Sequence, residues 1–231
     1  MFGLLAIRPT RWHDERHAAP IAQARANPAR RNPAMANVEE SSLHKLHPTQ
    51  LTVGMIVVKD KATRLAALSP AEQHEFLQRH AMPAVLGPGG RLYITDHHHL
   101  GRAALDAGLA TAFFRIDGDL SDCSLDDFWK QMEKNHWVHP LDESGVRHYC
   151  TRIPDQLGHL VDDVYRSIAG YVRDAGGYDK VPEAFAEFVW ADYFRRTIAV
   201  EFVREDFHAA VAQAMPLAKG RHARSLPGFN G

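Results

Sequence analysis

The stretch MPAVLGPGGRLYITDHHHLGRAALDAG, residues 82–108, changes its hydrophobic period from two to 3.6 at Asp96. Before Asp96, two short apolar segments flank a Gly- and Pro-rich turn, which predicts a hairpin of strands 83–86 and 91–95. After it, one helical face collects the apolar residues Leu100, Ala103, Ala104 and Ala107, and Gly108 ends the helix. The stretch therefore predicts a strand–turn–strand–helix unit with three consecutive histidines at the second junction.

The sequence around this unit predicts an α+β fold. The β-branched run 51–58 and the segment 111–117 are typical of strands, and Ser69-Pro70 is typical of a capped helix start. We expect a small mixed sheet with helices over residues 41–120, followed by a mainly helical region, 121–218, that packs on it because no flexible linker intervenes. Within that region, helices are expected at 156–175, from Pro182 onward, and at 205–217.

The two ends of the chain differ in composition from the middle. Residues 1–40 are rich in Ala, Pro and Arg without apolar periodicity, which predicts a disordered extension, with Met35 as a candidate for the true start. Residues 219–231 are basic and rich in Gly and Pro, which predicts a flexible tail.

Charge and composition narrow the class of protein. The net charge of −1 divides into +4 over residues 1–36 and −5 over the rest, because six arginines face only two acids in the first segment. An acidic body disfavours a DNA-binding surface without excluding a local basic patch. No apolar run approaches the roughly 18 residues of a membrane span, and the two cysteines form no disulfide framework. We therefore expect a cytoplasmic protein with no membrane association.

The Asp-His-His-His junction favours an anion ligand. Asp96 is predicted to be the N-cap, accepting from the backbone N–H of His98 or His99. The first turn of a helix presents unpaired N–H groups and the positive end of its dipole, which attract phosphate. Imidazoles in that turn add donors to phosphate oxygens. The predicted ligand is a nucleotide or a phosphorylated small molecule.

Two other interpretations of the junction remain open. A metal site would use the same side chains, but adjacent helical residues point about 100° apart, so His97, His98 and His99 cannot converge on one ion. Asp96 with a single histidine and outside ligands would still suffice for zinc. In the other interpretation the junction has no functional role, and it is a capped helix start with polar histidines on the protein surface. The other histidines, His44, His47, His136 and His139, are scattered and show no ligand spacing.

A family resemblance supports the phosphate interpretation. The segment GGRLYITDHHHLGRAAL is similar to the D-G-H-H-R and D-R-H-H signatures of the ParB/sulfiredoxin superfamily. The longer stretch from LHPTQLTVGMIVV to FAEFVWADYFRR, roughly residues 43–205, resembles the ParB-like putative nuclease family. The resemblance implies a phosphate-handling α/β fold, and chemistries in the superfamily include nucleotide hydrolysis, serine phosphorylation and sulfinic-acid reduction.

Carried over residue by residue, the resemblance implies a specific set of site residues. Asp96, His98 and His99 occupy the D-x-H-H positions as catalytic candidates, and Lys61, His97 and Arg102 are phosphate-binding candidates. Mg²⁺ held largely by the substrate's phosphates fits such chemistry. The sequence departs from the signature at Leu100, which replaces a basic residue, and at His97, which replaces the sulfiredoxin cysteine and argues against that chemistry.

Three functions follow from these observations. The first is an enzyme, hydrolase or phosphotransferase, acting on a phosphoryl or phosphodiester bond at Asp96–His99, with a nucleotide-dependent small-molecule kinase as a variant. The second is a nuclease or DNA-partition-type protein. The third is a binding module without catalysis. Arg166, beside Ser167, is a further candidate, either for a phosphate contact or for a buried ion pair.

Overall fold

A computed structural model describes residues 38–231, and it has the mixed α+β architecture expected from the sequence. Five strands form one sheet in the order β1-β6-β4-β5-β2, with both parallel and antiparallel neighbours. The strands are β1 (Val38–Ser42), β2 (Leu46–His47), β4 (Met82–Gly87), β5 (Arg91–Ile94) and β6 (Thr111–Asp119). A separate parallel pair joins β3 (Thr52–Val53) to β7 (Val161–Asp162).

The predicted hairpin is present as β4 and β5. Ala84 pairs with Ile94 and Gly87 with Arg91, and the turn uses Gly89 and Gly90 at φ +71° and +73°. Side chains with a Cβ rarely adopt that backbone conformation, which explains why this turn is rich in glycine. The hairpin fixes where β5 ends, and so where the histidine-rich junction begins.

Eight α-helices accompany the strands. They are α1 (Met55–Ala66), α2 (Pro70–Arg79), α3 (His98–Asp106), α4 (Leu125–Lys134), α5 (Val164–Asp174), α6 (Ala186–Thr197), α7 (Val200–Glu205) and α8 (Phe207–Ala218). The capping box predicted for α2 is present, since the Ser69 side chain accepts from Glu72 N–H and Glu72 accepts from Ser69 N–H. Ser124 caps α4 in the same local manner.

The apolar run at 51–58 is mostly helical, so the prediction of a strand there was wrong. Only Thr52 and Val53 are extended, Gly54 is the N-cap, and α1 begins at Met55. In α1, Val58 and Leu65 lie seven residues apart on the face that packs with α3, whereas Val57 packs with α5. A short apolar run fits a buried strand and a buried helix equally well, and here the helix is stabilised by neighbours on both sides.

The C-terminal half is helical and packs on the first half, as predicted, but its boundaries differ. The helix expected at 156–175 starts only at Val164, capped by Asp163, because residues 161–162 pair with β3 instead. The helix expected to begin at Pro182 starts at Ala186, and a break at Ile198–Ala199 divides it into α6 and α7. Helix α5 lies between α1 on one side and α6 and α8 on the other.

Both predicted chain ends need correction where the structure describes them. Residues 38–40 of the predicted extension belong to β1, which pairs with β6, while the rest of that extension and Met35 lie outside the described residues. The predicted flexible tail, 219–231, packs on the helical half: Trp190 Nε1 donates to Pro227 O at 2.7 Å and Asp179 N to Gly228 O at 2.7 Å. These two hydrogen bonds and the buried Ala223 show that the tail packs against the helical half.

Within residues 38–231, none of the helices is long and apolar enough to cross a membrane.

Candidate functional site

The junction between β5 and α3 differs in its cap from the prediction. Helix α3 begins at His98, and its N-cap is His97 in the left-handed region at φ +64° rather than Asp96. Asp96 Oδ1 accepts from His97 N–H at 2.6 Å, which supports that backbone conformation instead of capping the helix. Asp96 is exposed, so its carboxylate lies at the solvent side of the junction.

His98 is buried and serves as a hydrogen-bond acceptor. Its Nε2 accepts from Thr49 N–H at 3.0 Å, and the Thr49 hydroxyl donates to Ile94 O at 2.8 Å. Burial lowers the pKa of His98 to about 3, assisted by the charge of Arg166 and opposed by that of Asp96. The ring is therefore neutral near pH 7, and because Nε2 accepts, its proton is on Nδ1.

His99 is held in the same manner by a different segment. Its Nε2 accepts from Gly54 N–H at 3.0 Å, at the start of α1. Burial of the ring nitrogens lowers the pKa of His99 well below its usual value, and the charges of Arg166 and Lys61 lower it further. The two imidazoles thus diverge toward Thr49 and Gly54, and neither has a free Nε2 lone pair to ligate a metal ion. Each neutral ring retains one donor, Nδ1–H.

Arg166, near the start of α5, is the most unusual charged residue near this junction. Its side chain is 4% exposed, and its Cζ lies 3.5 Å from the centroid of the Phe188 ring. Among residues 38–231, neither Nε nor Nη1 has a hydrogen-bond partner. Burial lowers the pKa of Arg166 to about 10, against the nearby negative charges of Asp163 and Asp96. Buried charges are normally paired, so an arginine with two unsatisfied nitrogens is a candidate contact for an anionic ligand.

Backbone contacts place Arg166 close to the histidines. A Cβ built on Gly54 would lie 2.5 Å from Ser167 Oγ and 2.9 Å from Arg166 C, so the start of α5 rests directly on Gly54. Gly54 N–H is the group that donates to His99. The backbone of Arg166 is therefore separated from the His99 ring by a single glycine, and only a residue without a side chain permits that approach.

His139 reaches the same place from the loop after α4. Its ring lies 3.9 Å from the Phe188 ring and 4.3 Å from that of Phe185, centroid to centroid. Its backbone N–H donates to Thr49 O at 2.9 Å, and Thr49 in turn donates to His98. Burial, assisted by the charge of Arg166, lowers the pKa of His139 to about 3. Its Nε2 is buried without a hydrogen-bond partner among the described residues.

The other two predicted phosphate ligands, Lys61 and Arg102, have different surroundings in the structure. Lys61 lies on α1, not after a strand, and its charge reaches His99. Arg102 is tied to Asp106 Oδ1 at 2.9 Å and to Leu160 O at 3.1 Å, which fixes its guanidinium away from the start of α3. Leu100 is 3% exposed and packs in the core with α1, so its apolar character has a structural role.

His139 is the residue that sequence reasoning missed. Forty residues separate it from His99, and no spacing rule connects a loop histidine to a helix start. Arg166 carried a weak signal, since an arginine among apolar and small residues in VYRSIAGYV predicts a buried guanidinium. Two cavities, of about 690 and 160 Å³, lie beside Trp129 and Cys150, and the residues with the unsatisfied nitrogens do not line them.

A metal cage is not part of this arrangement as far as the described residues extend. Residues 38–231 contain no group of three or more His, Cys, Asp or Glu side chains that could hold a metal ion. Asp96 is the carboxylate at the junction, and one of its oxygens already accepts from His97 N–H. Among residues 38–231, Asp96 is therefore the one carboxylate at this junction that could contact a Mg²⁺ ion, and such an ion would be held mainly by the phosphates of a ligand.

A mixed five-stranded sheet followed by a helix that starts at a histidine-rich corner defines an α+β protein of the ParB-like class. The chain belongs to the family described as "Putative ParB-like nuclease", whose profile matches residues 39–196. It is also similar to the crystal structure of protein Atu1540 from Agrobacterium tumefaciens, with 38% identity, a TM-score of 0.80, and coverage of 84% of this chain and 97% of that one. No curated protein matches the chain.

Proposed function

We propose that the chain binds a phosphate-bearing ligand at the start of α3 and acts on its phosphoryl or phosphodiester bond. One observation carries the proposal: the Arg166 guanidinium is buried with Nε and Nη1 unsatisfied, and its charge lowers the pKa of both His98 and His99 at the start of α3. A phosphate oxygen satisfies such a pair of donors in a bidentate manner and neutralises the buried charge. Arg166 then supplies, from the helical half, the basic group that the D-G-H-H-R signature would place at residue 100.

The histidines fit an anion better than a metal. With each Nε2 accepting from a backbone N–H, His98 and His99 keep their protons on Nδ1 as neutral donors. Lys61 and the free N–H groups of the first turn of α3 add positive potential. Donors fixed in a site of low dielectric stabilise charge that develops on phosphoryl oxygens.

Asp96 is the proposed base. Because Asp96 is exposed at the start of α3, a water molecule or an acceptor hydroxyl can reach its carboxylate beside the proposed phosphate. The carboxylate takes the proton of that nucleophile as its oxygen bonds to phosphorus and the bond from phosphorus to the leaving oxygen breaks. A hydrolase uses water in this step and a small-molecule kinase uses a substrate hydroxyl. Mg²⁺ bound to the phosphates would neutralise charge on the leaving oxygens.

Calorimetric titration of the full chain with ADP tests the binding part. We expect the Arg166→Gln variant to bind at least about tenfold more weakly, because a charge-assisted pair of hydrogen bonds is lost. The exposed Arg79→Gln variant, on α2, is the matched control and should bind like wild type. Equal affinities for wild type and Arg166→Gln would contradict the proposal.

Turnover assays distinguish an enzyme from a binding module. Phosphate release from ADP or ATP, or cleavage of oligonucleotides into shorter strands, should be lost in Asp96→Asn while ADP still binds. If wild type binds ADP in an Arg166-dependent manner but turns over none of these substrates, the module without catalysis is the better description.

A further inference from the structure

A cleft lies between α4 and residues 147–155. Its two adjoining cavities, of about 690 and 160 Å³, share Trp129, Cys150 and Thr151 as lining residues. The larger cavity is within the range of about 300–1,000 Å³ that is typical of small-molecule sites. No residue of the proposed phosphate site lines either cavity, so a molecule in this cleft would occupy a second site.

We propose that this cleft binds a nucleobase, presented as a nucleoside, by stacking on Trp129 and Tyr149 and by hydrogen bonds to Arg147 and Glu133. The inference goes beyond the proposed function, because it concerns an uncharged ring and requires no phosphate.

Two aromatic side chains give the cleft flat walls. Trp129 lines both cavities, and its ring is held at a steep angle by Phe128 and Tyr93, at 4.8 and 5.6 Å between centroids. Tyr149 lines the larger cavity and is 85% exposed, so the faces of its ring are largely uncovered. Every base has a π face that stacks on such rings. The walls therefore favour a flat ligand over a branched aliphatic one.

The charges around the cleft favour a ligand without net charge. Three basic and three acidic side chains line the two cavities: Arg91, Lys130 and Arg147, and Asp126, Glu133 and Asp155. Arg147 Nη2 contacts Glu133 Oε1 at 2.7 Å, and Arg91 Nη1 contacts Asp155 Oδ1 at 3.5 Å. A polyanion or a cation would meet attractive and repulsive groups in equal number, whereas a neutral polar ring loses nothing by this balance.

The Glu133–Arg147 pair presents a donor and an acceptor side by side on the wall of the larger cavity. The two side chains are 44% and 57% exposed, so their mutual contact is weak enough to be exchanged for contacts to a ligand. Arginine donates to the ring nitrogens and carbonyl oxygens of bases, and a carboxylate accepts from their amino groups. Among flat ligands, the pair therefore selects a base over a ring without polar edges.

Calorimetric titration of the full chain with adenosine, cytidine, guanosine and uridine tests the inference, because nucleosides carry no phosphate. We expect at least one of them to bind with a dissociation constant in the millimolar range or below, and ribose not to bind. Indole, a flat ring without the donor and acceptor edge of a base, should bind more weakly. In saturation-transfer NMR spectra, the base protons should receive more saturation than the ribose protons.

Two variants assign the binding to the cleft. Tyr149→Ala, at an exposed side chain, should weaken nucleoside binding about tenfold through the loss of stacking. Arg147→Met should weaken it severalfold and leave indole binding unchanged, because it removes only the donor to the base edge. The matched control is Val161→Ala on β7, a side chain that is 50% exposed and does not line the cleft. Far-UV circular dichroism establishes that each variant is folded, and either variant alone is sufficient for the test.

The outcomes distinguish this inference from the proposed function. The Arg166→Gln variant should bind nucleosides like wild type, even though it binds ADP more weakly. Nucleoside binding that is lost in Arg166→Gln but unchanged in Tyr149→Ala and Arg147→Met would overturn the cleft assignment and leave the phosphate site in place. The inference is also overturned if no nucleoside binds, or if indole binds as tightly as the nucleosides do.

Discussion

The Arg166 guanidinium lies 3.5 Å from the centroid of the Phe188 ring, and two of its nitrogens make no hydrogen bond within residues 38–231. The stack on an aromatic face compensates only part of the desolvation of a buried charge. A nearby arginine shows the normal solution: Arg195 Nη2 contacts the buried Asp163 Oδ2 at 2.5 Å. The proposed phosphate site accounts for a guanidinium kept in the interior with two unsatisfied nitrogens, because stability is then lost in exchange for ligand binding.

Replacing Arg166 with methionine should therefore stabilise the ligand-free protein. Methionine keeps an unbranched, polarizable side chain over Phe188 and removes two unsatisfied donors. We expect the free energy of unfolding to rise by about 1 kcal/mol, measured by urea denaturation. Millimolar phosphate should stabilise wild type and have no effect on this variant. A destabilised variant would show that the charge is paired in solution.

The same substitution at Arg195 should act in the opposite direction. Arg195→Met leaves the Asp163 carboxylate, 2% exposed, without its ion-pair partner. Removing one partner of a buried ion pair typically lowers the free energy of unfolding by about 3 kcal/mol. The contrast between the two arginines separates a functional charge from a structural one, and equal effects of both substitutions would argue against that distinction.

Gly54→Ala should disrupt both the fold and the site. The new Cβ would lie 2.6 Å from Ser167 N and 2.9 Å from Arg166 C, which are backbone atoms that cannot rotate away. We expect a loss of about 2 kcal/mol or more in the free energy of unfolding, together with weaker phosphate binding. Gly158→Ala, whose Cβ meets no atom within 4 Å, is the matched control and should be neutral.

His97→Gly should increase stability and reduce ligand affinity. His97 adopts φ +64°, a conformation that is costly for a residue with a side chain, and such strain is often found at functional sites. Glycine should gain about 0.5–1 kcal/mol in unfolding free energy. His136→Gly, at φ +56° after α4, should give a similar gain without changing phosphate affinity. Equal affinity in both variants would exclude His97 from the site.

The buried histidines should make the protein sensitive to acid. His98 and His139, with folded pKa values of about 3, and His99, also strongly lowered, remain neutral in the folded state while the unfolded chain takes up protons below about pH 6.5. Stability should thus be highest above pH 7 and fall as the pH drops from about 6.5 toward 3, by about 1.4 kcal/mol per pH unit for each net proton.

The titration of Asp163 opposes the loss of stability at low pH. Burial raises the pKa of its carboxyl to about 6, so in the same interval the folded state holds one proton that the unfolded state lacks. On unfolding in this pH range, the three histidines each take up a proton and Asp163 releases one. The net uptake is therefore about two protons. His98→Gln keeps an acceptor for Thr49 N–H and should lower this number by one. An unchanged pH slope in His98→Gln would mean that His98 titrates normally in the folded protein.

Local chemistry explains what could be predicted from the sequence. The β4–β5 hairpin, the Ser69 and Ser124 caps and the glycine-rich turn depend on neighbouring residues only, and each is present. The start of α3 was predicted one residue too early because aspartate is a preferred N-cap residue and histidine is not. Only the left-handed backbone at His97 decides between them.

Tertiary contacts explain what could not be predicted. Whether 55–58 is strand or helix depends on α5, against which Val57 packs. His139 joins the site through Thr49 and Phe188, each distant in sequence, and no periodicity encodes that meeting. Arg102, predicted as a phosphate ligand from its helix, is diverted by the carbonyl of Leu160, which only the fold brings near.

A crystal structure of the full chain soaked with tungstate, a strongly scattering analogue of phosphate, tests the central claim most directly. We expect density for one oxyanion within hydrogen-bond distance of Arg166 Nε and Nη1, next to the first turn of α3. Density elsewhere on the protein, or none in wild-type crystals at a saturating concentration, would contradict it.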